Sequence, residues 1–199
     1  MCHFEKGEKN EVIFILSCPG KEEEKAGKPA AGQTGINLDV ILNSLNTKFN
    51  YDMFDRRNIT ITNSTTRVEY IDKTNRTEAT KKEVLDQKNL ERLSKEINGV
   101  SRYIICCGVN AELAIEELNK KQFITEARIL KISHLGNQAL NKTIKKNIDG
   151  KKIYSYNNST ELPEGENRSL KKIRSDNKLQ RLEVVAKVLI DQMEPNNSI

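Results

Sequence analysis

The 199-residue chain has little cysteine, little histidine and no long apolar run. Its four cysteines are Cys2, Cys18, Cys106 and Cys107. Neighbours such as Cys106 and Cys107 face opposite sides of a strand, and no Cys-x-x-Cys pair occurs. That argues against a disulfide framework and against a zinc site. Reduced thiols suit a cytoplasmic protein. The longest early apolar run, residues 12–16, is too short for a signal-peptide core or a membrane span. No internal repeat is visible. With only His3 and His134 present, a histidine near a predicted ligand-binding edge stands out.

What the chain does have is charge and length enough for one core. Hydrophobic residues make up 36% and charged residues 31%, and Lys+Arg number 33 against 28 Asp+Glu, a net charge of +5. A single domain over 1–199 is expected, with 1–10 and 194–199 as flexible tails. The mild basicity permits a polyanionic partner.

Apolar runs alternate with helical periodicity. Residues 11–16 (EVIFIL), 58–62 (NITIT), 103–107 (YIICC) and 127–133 (ARILKIS) read as four strands, the first and third buried on both faces. Ile36, Val40, Ile41 and Leu45 recur at helical spacing. Residues 63–77 are polar and read as a long loop. Thr80-Lys81-Lys82-Glu83 is a capping box that opens a helix ending at Gly99, with Val84, Leu85, Leu93 and Ile97 inward. Asn110 reads as the N-cap of a short helix through Leu113 and Leu118. Residues 143–171 are polar, with a short strand expected at 153–156. A closing amphipathic helix is expected over 177–193. This alternation predicts an α/β fold: a three-layer α/β/α sandwich with a central, mostly parallel, four-stranded sheet.

In such sheets ligands bind beyond the carboxyl ends of the strands. The segments there are Ser17-Cys18-Pro19-Gly20, Asn63-Ser64-Thr65, Gly108-Val109-Asn110 and His134-Leu135-Gly136. Pro19 and Gly20 turn the chain off the first strand. Gly32 and Gly35 open a helix whose free N–H groups, with Lys28 nearby, would attract an anion such as phosphate. Read alone, the same residues are also ordinary turn punctuation.

The run SCPGKEEEKAGKPAAGQTGINLDVIL (17–42) resembles the first motif of the uracil-DNA glycosylase superfamily, especially its iron–sulfur branch. ITNSTTR (61–67), RYIICCGVNAEL (102–113) and ISHLGNQALN (132–141) resemble three further segments of that branch, in the same order. The resemblance implies a DNA glycosylase: a base is flipped from the duplex and its N-glycosidic bond hydrolysed, leaving an abasic site.

The departures narrow this expectation. Ser17 and Cys18 stand where the superfamily carries a water-activating carboxylate or amide. Ala30 stands where an aromatic ring stacks on uracil. The cluster cysteines have no counterparts, so no iron–sulfur cluster and no other cofactor is expected. The missing ring suggests an enlarged pocket and a non-standard or hypermodified base, such as glucosylated hydroxymethylcytosine in phage DNA. Alternatives are a repair glycosylase for uracil or a deaminated purine, and an inactive sensor of modified DNA.

Within the resemblance, His134 is the expected donor to the departing base. Asn63 is the expected base reader, its amide offering a donor and an acceptor. Glu23, in the acidic run after Gly20, is the expected carboxylate. Ser17, Cys18, Pro19, Gly20 and Ala30 are expected around the base, with Tyr51 or Phe54 as substitute stacking rings. Lys28, Gly32, Gln33 and Thr34 are expected against DNA. So are Leu135, as an apolar wedge, and Gly136, Gln138 and Asn141. The basic runs Lys142–Lys152 and Lys171–Arg174 are candidate phosphate contacts. The expected partner is double-stranded DNA, possibly phage DNA, bound by a monomer, with no membrane.

Overall fold

Five strands form one sheet in the order Phe4–Glu5, Thr60–Asn63, Val12–Leu16, Tyr103–Cys107, Arg128–Ile132. The computed structural model describes residues 1–49, 52–123, 126–156, 161–162, 165–166 and 168–194. β1 is Phe4–Glu5, β2 Val12–Leu16, β3 Thr60–Asn63, β4 Tyr103–Cys107 and β5 Arg128–Ile132. β2, β3, β4 and β5 run parallel, and β1 pairs antiparallel with β3 at one edge. The expected four-strand count is therefore corrected to five. Residues 1–10 are not a free tail either: Phe4 pairs with Thr62, and the His3 carbonyl accepts the Asn63 N–H at 3.0 Å.

Among the described residues there are eight helices: α1 (Lys21–Ala26), α2 (Gln33–Phe49), α3 (Ile71–Thr74), α4 (Lys81–Val84), α5 (Gln87–Ile97), α6 (Val109–Lys120), α7 (Asn137–Thr143) and α8 (Leu170–Met193). β2 is buried throughout, and its alternate residues feed two cores. Val12, Phe14 and Leu16 pack with Leu38, Ile41 and Leu45 of α2 and Leu182, Val185 and Leu189 of α8. Ile13 and Ile15 pack with Val84, Leu90, Leu93 and Ile97 from α4 and α5 and with Ala114, Ile115 and Leu118 of α6. Two-sided burial is why this strand reads as an unbroken apolar run.

Local chemistry sets most helix ends. The Thr80 hydroxyl accepts the Glu83 N–H while Glu83 accepts the Thr80 N–H at 2.8 Å, the capping box expected there. The helix it opens stops after one turn. Asp86 then caps α5 by accepting from the N–H groups of Lys88 and Asn89. α8 begins at Leu170, capped by Ser169, seven residues before its expected start at 177. No strand forms at the expected 153–156; Lys152 beside it makes an isolated bridge with Lys146, and Ile153 is buried. At the β5 edge, the Gln192 amide accepts the Lys131 N–H and donates to the Lys131 carbonyl, both at 2.9 Å.

The connections place the site. From β2 the chain returns beside β2 as β3. It then crosses to the opposite side to form β4 and continues outward to β5. The direction of winding reverses between β2 and β4, the switch point at which open α/β sheets form a crevice beyond their carboxyl ends. No described helix is long and apolar enough to cross a membrane.

Candidate functional site

The carboxyl ends of β2, β3 and β5 converge on a cavity of about 160 Å³, lined by Leu16, Cys18, Gly20, Glu23, Thr34, Asn63, Glu69, Thr77, Glu78 and His134. Six expected residues thus meet in one place: Cys18, Gly20, Glu23, Thr34, Asn63 and His134. Three polar residues that sequence reading passed over join them: Glu69, Thr77 and Glu78. All three lie in or beside the segment read as an open loop.

Backbone hydrogen bonds draw that segment in. The Ser64 N–H donates to Leu16 O at 2.8 Å, and the Ser64 hydroxyl to Ser17 O at 2.6 Å. The Glu69 N–H donates to Pro19 O at 2.9 Å. A buried network holds the end of β3 from behind. Arg92 donates to Asn63 O at 3.0 Å and to Glu96, and Glu96 also accepts from Thr62 and lies 3.3 Å from His3. Asn63 is 1% exposed, and its Oδ1 has no hydrogen-bond partner. Buried polar atoms are nearly always paired, so this oxygen at the cavity is open to a donor from outside the chain.

Glu69 is the second such group. Its Oε1 lies 2.5 Å from Arg76 and 3.6 Å from Arg67, while its Oε2 is buried without a partner. Glu78 reaches the rim from beyond α3. It accepts from the Ser17 hydroxyl and from Asn110 Nδ2 at 3.2 Å, and lies 3.8 Å from His134 Nε2. Asn110 is not the N-cap of α6, a position Gly108 takes; its amide joins Ser17 to Glu78.

The geometry around His134 fixes its tautomer. Its Nδ1 accepts the Gly136 N–H at 3.0 Å. A neutral imidazole with an accepting Nδ1 carries its proton on Nε2. That N–H therefore points to the Glu78 side of the cavity. Gly108, at φ 92°, lets the β4 end pass close by: a Cβ there would come within 2.9 Å of His134 Cβ. From α2, the buried Asn37 Nδ2 donates to Leu135 O at 2.7 Å and holds the loop from the other side.

Several expectations are corrected. Glu23 lines the cavity, but its carboxylate accepts the N–H groups of Gly20 at 3.0 Å and of Ala31 and Gly32 at 3.2 Å each. It clamps the two turns together and takes the Gly32 N–H, one of the amides expected to draw a phosphate, while the Gly35 N–H goes to Gly32 O. Leu135 is not a protruding wedge; it is fully buried in the core shared by α2 and α8. Ala30 does not line the cavity. It is buried at φ 49°, with its carbonyl under Gly35. Phe54 is buried against Phe49 and is no substitute stacking ring. Tyr51 lies outside the described residues.

The other expected residues fall around the rim. Ser17 and Pro19 are buried behind the cavity, and Lys28 and Gln33 are exposed, Gln33 donating to Asn37 at 3.0 Å. Gly32 sits in the Glu23 clamp. Gly136 caps α7, whose exposed face carries Gln138 and Asn141. Lys142, Lys145, Lys146, Lys151 and Lys152 are exposed nearby, as are Lys171, Lys172 and Arg174.

Cys18 stays a thiol at neutral pH. Burial, with Glu78 adding its charge, pushes its thiol up to about 12. The four cysteines are all free. A larger groove, about 700 Å³, lies outside this centre among Thr65, Arg67, Lys82, Glu83 and Arg92. Its two arginines are paired, Arg67 with Glu83 at 2.9 Å and Arg92 with Glu96 at 2.5 Å. Among the described residues its lining has no histidine, and the buried atom without a partner there is a donor, Arg92 Nε. Among the described residues, no group of three or more His, Cys, Asp or Glu side chains is arranged to hold a metal ion.

No protein-family model matches this chain, and no curated protein matches it.

Proposed function

We propose that this chain is a DNA glycosylase that hydrolyses the N-glycosidic bond of a flipped-out, non-standard base in double-stranded DNA. The observation that carries the reading is Asn63: a buried amide without a partner for its oxygen, held at the carboxyl end of a central strand and facing a ring-sized cavity. The cavity also has a histidine N–H and a carboxylate on one wall. The motif resemblance supports the same reading, as does a parallel sheet whose winding reverses at the site. In this reading the protein works in the cytoplasm.

The chemistry assigns one role to each group. Asn63 reads the edge of the flipped base. As the C1′–N bond breaks, its electron pair passes to the base, and the His134 Nε2–H stabilises the resulting anion. The Glu78 carboxylate, fixed by Ser17 and Asn110, orients the water that bonds to C1′ and takes its proton. The exposed lysines after α7 and at the start of α8 supply positive charge for a duplex backbone, and binding through them weakens as salt rises.

The size of the base follows from the cavity. About 160 Å³ corresponds to roughly five waters at ~30 Å³ each, room for one ring. A sugar on an enlarged base would leave through the open mouth, since Ala30 adds no space within.

The test is a base-release assay on duplexes carrying uracil, hypoxanthine, hydroxymethylcytosine or glucosylated hydroxymethylcytosine, read by mass spectrometry. Release should fall about 10²–10⁴-fold in Glu78→Gln and in His134→Ala, with duplex binding retained. No release from any duplex, with binding intact, favours a sensor of modified DNA and removes the enzyme.

A further inference from the structure

The cavity's polar inventory is lopsided. Glu69 Oε2 and Asn63 Oδ1 are both buried acceptors with no donor among the described residues. Glu69 is 3% exposed, and its other oxygen already holds Arg76 and Arg67. An ion-paired carboxylate accepts hydrogen bonds and does not donate them. A ligand that satisfies this wall must bring hydrogen-bond donors.

Two ring systems of the same size answer differently. Cytosine carries an exocyclic amino group beside an unprotonated ring nitrogen; uracil carries a carbonyl beside a ring N–H. Asn63 alone does not separate them, because its amide can turn to present either order of donor and acceptor. Glu69 cannot turn into a donor. Cytosine's amino group has two N–H bonds, one for Asn63 Oδ1 and one for Glu69 Oε2, while Asn63 Nδ2 donates to the ring nitrogen. Uracil would set its carbonyl oxygen against the carboxylate.

We infer that the site selects a 4-aminopyrimidine, a cytosine-type edge, over uracil, and that Glu69 is the residue that makes the selection. The inference rests on the reading of this cavity as a base pocket and deepens it.

The experiment is the binding of free bases to the full chain, followed by NMR titration with cytosine, uracil and N4,N4-dimethylcytosine, without DNA. Cytosine should bind at least about tenfold more tightly than uracil, since sites built around a hydrogen bond reject analogues that cannot make it. Dimethylcytosine keeps the ring and loses both amino N–H groups, and should bind no better than uracil. Glu69→Gln can present either a donor or an acceptor, so the cytosine-to-uracil ratio should fall to within about threefold. Should that variant fail to fold with its arginines unpaired, the three-base comparison in the unmodified protein still decides.

Equal binding of cytosine and uracil, a preference for uracil, or no binding of either at millimolar base overturns the inference. So does a folded Glu69→Gln protein that keeps the full ratio. A cytosine preference in a protein that releases no base from any duplex keeps this inference and removes the excision reading. Base release without the preference does the reverse.

Discussion

Replacing Glu23 by alanine separates a structural clamp from a reacting carboxylate. The side chain joins the N–H groups of Gly20, Ala31 and Gly32 across two turns. A hydrogen bond to a charged group contributes about 1.5–3 kcal/mol. Glu23 is partly exposed, so water replaces part of each bond when it is lost. Three bonds, discounted for that, give a cost of roughly 2–4 kcal/mol. At about 2–4 °C per kcal/mol for a chain of this size, Tm should drop by roughly 4–16 °C. Glu23→Gln keeps one accepting oxygen and should fall between the two. Urea unfolding followed by far-UV circular dichroism gives the stability, and base release at a temperature where both proteins are folded gives the activity. A Glu23→Ala protein within about 0.5 kcal/mol of the parent, yet without activity, would refute the clamp and return Glu23 to the chemistry.

Gly35→Ala should be severely destabilised, by about 3 kcal/mol or more, because the new Cβ would fall 1.8 Å from Ala30 O; a wild-type urea midpoint would contradict that packing. Cys18 should resist alkylation at neutral pH, and Cys18→Ser should keep activity. With its thiol raised from 9.0 to about 12, the folded chain holds a proton that the unfolded chain releases. The stability this group contributes is full below pH 9 and is lost as pH rises toward 12, which alkaline unfolding of Cys18→Ser against the parent would reveal. Glu83 is held down to about 2, first by the Thr80 N–H and then by Arg76. Its contribution is present above pH 4.5 and lost as pH falls toward 2. Glu83→Gln should therefore flatten that part of the acid-unfolding curve.

Burial on both sides made β2 and β4 legible, because a strand with two covered faces has no polar positions to confuse the pattern. β1 escaped notice because two residues, Phe4–Glu5, carry no period. The early turns of α8 bury Ile173 but little else apolar, too thin a stripe to read as a helix. His134 and Asn63 could be placed at the cavity from sequence because each stands at the carboxyl end of an apolar run. Glu69 and Glu78 were missed because what brings them in leaves no periodicity: a backbone bond from Glu69 to Pro19, and side-chain bonds from Ser17 and Asn110 to Glu78. The signal available was the length of the segment itself: some fifteen residues without a core pattern are uncommon in a compact domain unless they serve a site. Leu135 misled in the opposite direction. One apolar residue between a histidine and a glycine reads equally as a protruding wedge or as a plug, and here it is the plug.

Gln192 has a consequence for how copies of this protein meet. β5 is an edge strand, and an edge with open N–H and C=O groups invites another chain to add itself. The amide of Gln192 fills both groups of Lys131 in the middle of that edge, as a one-residue imitation of a sixth strand. A visiting strand would have to displace it before forming its first pair of bonds, and the Lys131 side chain, tied to Glu116 at 2.5 Å, guards the same spot. At this margin the sheet carries its own stop signal against a further strand.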